Sequence, residues 1–154
     1  MAQAGRASVF LIALNRVLLG LYFLGAGVAK VQGELNDGIG SFYNGPFKAM
    51  QPSWLPNALA APYGYALPWA EVVVGALLAI GLFTKINAAL TFLMSLSFTI
   101  ALMMANGLSG GGPGVFHTNV FLCVIAAHIV VVGGGPFSVD ATFMGRAAKR
   151  ATGG

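Results

Sequence analysis

The sequence predicts an all-α membrane protein, a bundle of four transmembrane helices, and three observations predict it. Of the 154 residues, 57% are hydrophobic and only 8% charged, and the mean hydropathy is +0.81, outside the range of soluble globular domains. The apolar residues gather into stretches near the ~20 helical residues that cross about 30 Å of hydrocarbon. The few ionisable residues inside those stretches recur at helical spacing, on one face of each helix. A soluble protein is excluded, because eight Lys and Arg with four Asp and Glu cannot cover a water-facing surface.

The first span falls at about 8–30. It is too long for a signal peptide, carries Arg16 in its middle and lacks a small-x-small cleavage site before the polar residues that follow. The connection from 31 to 65 contains "GPF", "QPSWLP" and "APYGY", too many prolines for one long helix. Trp54, Tyr63, Tyr65 and Trp69 are amphipathic rings suited to a membrane interface, so a partly ordered extracytoplasmic loop with one short helix is expected. The second and third spans, about 66–83 and 85–106, are joined by "GLFTK" (81–85) and form an antiparallel hairpin. "NGLSGGGPG" (106–114) excludes helix continuation, and a fourth span follows at about 115–133. "GGGPFSVD" (133–140) stops that helix, and Ser138 or Asp140 is placed to cap a short helix in the tail, 134–154. The whole chain, 1–154, reads as a single membrane domain.

An even number of spans puts both ends and the 81–85 turn on one side, with Arg6, Lys85, Arg146, Lys149 and Arg150. The other side has Lys30 and Lys48, offset by Glu34 and Asp37. The positive-inside rule then places both termini in the cytoplasm of a multi-pass protein of a bacterial-type cytoplasmic (inner) membrane, surrounded by lipid. The net charge of +4 is scattered along the chain and forms no basic patch, so no nucleic-acid partner is expected.

A charge inside hydrocarbon costs ~2.5 to 3.5 kcal/mol on insertion scales and needs a partner. Arg16, Gly20, Phe23, Gly27 and Lys30 fall on one stripe of the first helix, and the glycines permit close helix approach. Glu71, Gly75 and Ala79 do the same in the second. His117, Phe121, Val124 and His128 form a stripe in the fourth, leaving Cys123 to point elsewhere. Two clusters are expected: Arg16 with His128, and Lys30 with Glu71 and His117. Each charged group also has a purely structural reading, as an ion pair that fixes helix registry or, for Lys30, as a side chain snorkelling to the headgroups. His128 has the stronger functional reading, since a neutral imidazole both donates and accepts hydrogen bonds.

Cys123 is the single cysteine and reads as a small apolar residue. No haem or metal is expected from this chain alone. His117 and His128 share one helix face about 16 Å apart and cannot flank one iron. Inside the spans no His, Asp or Glu recurs at metal-ligand spacing.

Arg16 with Gly20, the G-x-x-K ending at Gly27 and Lys30, P-x-x-E at Pro68 and Glu71, the "GLFTK" turn and the closing "GGGPFSVD" together resemble the DoxX family of small four-helix membrane proteins. That resemblance implies an association with quinone-linked redox or sulfur and thiol metabolism, similar to the quinone-reducing DoxD-type subunit of thiosulfate:quinone oxidoreductase. The family's pattern lands on Arg16, Lys30, Glu71 and Asp140. Two functional expectations follow. One is a subunit of a quinone-linked oxidoreductase that binds a quinone among its helices, with Arg16 and His128 as donor and proton relay and Glu71, Lys30 and His117 as an outer gate. The other is a non-catalytic accessory subunit of a larger membrane complex, packed through its Gly-, Ala- and Ser-bearing faces against other membrane or redox subunits or a second copy. A small-solute carrier fits less well, since no inverted repeat is visible.

Overall fold

The computed structural model describes residues 2–106 and 118–143, with the side chains of 8–104 and 118–143. Among the described residues the α-helices are, in order, α1 (Ala2–Asp37), α2 (Lys48–Met50), α3 (Asn57–Ile80), α4 (Thr84–Asn106) and α5 (Thr118–Val132), and helical residues resume at 139–143. A π-helical turn at Tyr43–Phe47 leads into α2. No strand occurs among the described residues. Three helices are long and apolar enough to cross a membrane, over Ser8–Asp37, Asn57–Ile80 and Thr84–Met104. α5 is as apolar but has 15 described residues, short of the ~20 a full crossing takes.

The four long helices close into a ring: α1 packs on α3, α3 on α4, α4 on α5, and α5 returns to α1. The tightest seam is α1 on α3. A Cβ added at Gly20 would lie 2.5 Å from the Ala79 backbone nitrogen, and one at Gly27 would lie 2.6 Å from that of Val72. A Cβ at Gly75 would strike the backbone nitrogen of Leu24. Small residues let the two backbones touch, which is how helices gain contact where lipid offers no hydrophobic drive. Leu19, Phe23, Leu67, Leu78, Ala126 and Ile129 belong to the core between them.

The connection expected over 31–65 is much shorter. α1 runs on to Asp37 and α3 begins at Asn57, with Pro62 and Pro68 inside the helix. Each proline removes one ladder bond, yet membrane helices accept this because neighbouring groups re-satisfy the backbone. The π turn folds back over α3, with the Tyr43 and Tyr65 rings 4.7 Å apart. Glu34, which reads in the sequence as a loop charge, is 3% exposed. Its carboxylate accepts the backbone N–H groups of Phe42 (2.8 Å) and Gly40, which pins the turn to the end of α1.

α4 carries a buried polar stripe that the hydropathy conceals: Asn87, Thr91, Ser95 and Thr99, all within 8% exposure. The Thr91 and Thr99 hydroxyls donate to the carbonyls of Asn87 and Ser95, both at 2.8 Å, so the helix satisfies them itself.

Candidate functional site

Among the described residues Arg16 is the most deeply buried cation, 2% exposed. Its Nη1 donates to the carbonyls of Leu78 (3.0 Å) and Ala79 (2.8 Å), and its Nη2 to that of Phe137 (2.9 Å). The guanidinium thus takes up carbonyls at the end of α3, where ladder donors run short, and a carbonyl of the segment after α5. Gly81 makes room for it. It ends α3 in the left-handed conformation, φ 77°, and the Leu82 N–H bonds back to the Leu77 carbonyl at 3.0 Å, a Schellman closure. A side chain at Gly81 would collide with the Arg16 Nη1.

The 133–140 segment completes this end. Gly133 and Gly135 have φ of 80° and 70°, and a Cβ on Gly134 between them would meet Thr84 Oγ1 at 2.6 Å. Two glycines therefore supply the backbone turn and the third supplies clearance. Ser138 caps the residues that follow, accepting the Ala141 N–H at 3.2 Å. Asp140 does something else: its carboxylate accepts the N–H groups of Phe83 and Thr84, each at 2.8 Å, while its own N–H donates to the Gly81 carbonyl at 3.0 Å. It caps α4 from across the bundle, where a helix N-terminus favours an anion. Burial pushes the Asp140 carboxyl up, but Thr84, the Phe83 amide and the charge of Arg16 outweigh it and hold the pKa below the usual carboxylate value.

Lys30 and Glu71 meet at the other half of the bundle. Lys30 Nζ donates to Glu71 Oε2 in an ion pair, with side-chain exposures of 21% and 1%. The ammonium also lies 5.4 Å from the Phe42 ring centre and 5.1 Å from that of Phe98, so two π-faces share its charge. Glu71 sits about 21 Å along α3 from its first residue, Asn57, at the standard helical rise.

The sequence-predicted residues thus separate. Arg16, Lys30 and Glu71 face the interior, whereas His128 is exposed on α5, with Phe121 and Val124 at 55% and 64% exposure. The inward face of α5 is Leu122, Cys123, Ala126 and Ile129, so the stripe that included His128 points outward, and Arg16 bonds to carbonyls where an imidazole was expected. Small residues chose the face: Cys123 and Ala126 let α5 approach α4, and the Cys123 thiol donates to the Phe92 carbonyl at 3.8 Å. His117 lies outside the described residues. Among the described residues no group of three or more His, Cys, Asp or Glu is placed to hold a metal ion. Sequence reading missed Glu34, the α4 stripe, and a bond between the hydroxyls of Tyr63 and Ser97 (2.7 Å). Only the spacing of 87, 91, 95 and 99 gave a signal for any of these.

These features define a helical, multi-pass membrane protein whose interior charges tie its helices together. A family model described as methylamine utilisation protein MauE matches residues 8–115, from α1 through α4, and the chain belongs to that family. The match overturns the resemblance to the DoxX family. The motifs behind that resemblance are explained locally: glycines at a helix seam, an ion pair, a capped turn. No curated protein and no solved structure matches the chain.

Proposed function

We propose that this chain is a membrane-embedded accessory protein, one that supports the maturation or assembly of another protein in the use of methylamine or a similar amine. The family description supplies the process. The observation that carries the accessory role is the employment of the interior charges: Arg16 on three carbonyls, Asp140 on the start of α4, Glu34 on the π turn, and Lys30 on Glu71. A catalytic acid, base or donor must be free to engage a substrate, and these are engaged in holding helices. The quinone reading retains one supporting feature, the Arg16 Nε, which is buried without a partner. It loses the second donor, since His128 faces outward, and stands behind the accessory reading. The reading includes the orientation that the charge bias favours, with both termini cytoplasmic and the π turn outside.

Deletion of the gene tests this in the native cell. The expected result is loss of growth on methylamine together with a fall in the mature amine-oxidising protein, both restored by the wild-type chain. Undiminished growth would remove the process, and methylamine oxidation by the purified chain alone would remove the accessory role.

A further inference from the structure

α3 and α4 part along one side of the bundle, leaving two clefts of about 260 and 310 Å³ between them. The first is roofed by the segment before α3. Trp54 lines it, its indole N–H donating to the Met104 sulfur at 3.2 Å, and Phe47, Leu59 and Phe98 are among its walls. The second continues down the same crevice past Leu67, Val74 and Leu90. Tyr63 and Ser97 line both clefts, so the partition between them is a pair of hydroxyls.

The hydrogen positions at that pair follow by elimination. The Ser97 hydroxyl donates to the Met94 carbonyl at 2.8 Å, so in the 2.7 Å bond to Tyr63 its oxygen accepts and the phenol donates. Both protons are committed, and the lone pairs remain. Gln51, also on the wall of the first cleft, spends its amide N–H groups on the Leu55 carbonyl (2.9 Å) and Asn57 Oδ1 (3.1 Å). The crevice therefore offers apolar and aromatic walls, hydrogen-bond acceptors, and no free donor among these groups. A ligand bearing only carbonyl oxygens finds nothing to bind there, whereas one bearing a hydroxyl does.

We propose that this crevice is a binding site for a membrane-soluble phenol. Its hydroxyl donates to the oxygen of Tyr63 or Ser97, and its ring lies among Phe47, Trp54 and Phe98. The size fits, because an apolar cavity of about 150 Å³ already holds a benzene ring. The arrangement also follows the usual plan of small-molecule sites, apolar walls with a few fixed polar atoms.

The test uses the full chain in nanodiscs with Trp69→Phe, which leaves Trp54 as the one tryptophan of the two in the sequence. The probes are 4-hexylphenol and its methyl ether, 4-hexylanisole, identical in tail and ring and differing in the donor. The expected result is a saturable change in Trp54 emission with the phenol and at least tenfold weaker binding of the ether. In Tyr63→Phe/Ser97→Ala, with helical content unchanged, the difference shrinks to within about twofold, as expected for loss of one donor–acceptor recognition. Equal saturable binding of both probes by the parent chain, or a non-saturable change with each, overturns the proposal. That comparison decides the matter even where the double variant fails to fold.

Discussion

The two halves of the bundle use charge in opposite ways. At the Arg16 end, the guanidinium and the Asp140 carboxylate are both spent on backbone: carbonyls that end α3 and amides that begin α4. At the Lys30 half, two side chains neutralise each other beneath aromatic rings. A charge bonded to backbone completes the fold of a turn. A charge bonded to a charge only clamps two helices, and is replaceable by anything that clamps them equally well.

The largest effect expected from breaking this contrast is at Arg16. Arg16→Met removes the guanidinium bonds to the Leu78, Ala79 and Phe137 carbonyls and leaves Asp140 without its countercharge, and is expected to lower the unfolding free energy in detergent by about 3 to 5 kcal/mol. A loss below about 1 kcal/mol would place this end on a level with an exposed ion pair. Glu71→Leu comes next. It strands the Lys30 ammonium against Phe42 and Phe98, with an expected loss of about 2 kcal/mol in the same titration.

Asp140 sharpens the contrast through pH. Its folded pKa is depressed, so the unfolded chain takes up the proton first as pH falls. The stabilisation is fully present above the unfolded value of about 3.9 and drains away as pH drops through it toward the folded value. Asp140→Ala is expected to cost about 1 kcal/mol at neutral pH, as for a lost helix cap, and to flatten the stability curve through that acid window. An acid slope identical to the wild type would show that the cap contributes nothing.

Much of the α1–α3 seam was legible, because Arg16, Gly20, Gly27 and Lys30 repeat on one helical face and a charge among apolar residues must turn inward. The same logic failed on α5. His128 near a helix end has headgroups within reach and no need of the interior, so Cys123 and Ala126, small enough for close packing, set the face. Pro62 misled the placement of the start of α3, since proline breaks helices chiefly where water competes for the freed carbonyl. Asp140 reads as a local cap because sequence shows neighbours in the chain; its partners, Phe83 and Thr84, lie 57 and 56 residues away. Periodicity gives the stripe, but the packing partner decides which stripe is used.

The most direct test of the account is the double variant Lys30→Met/Glu71→Leu, measured both for unfolding and for rescue of growth on methylamine in the deletion strain. If the pair is a clamp, apolar side chains of similar volume replace it at little or no cost, so the variant is expected to unfold within about 1 kcal/mol of the wild type and to restore growth. A variant that folds as stably as the wild type but fails to restore growth would contradict the account, because the charges themselves would then be part of the function.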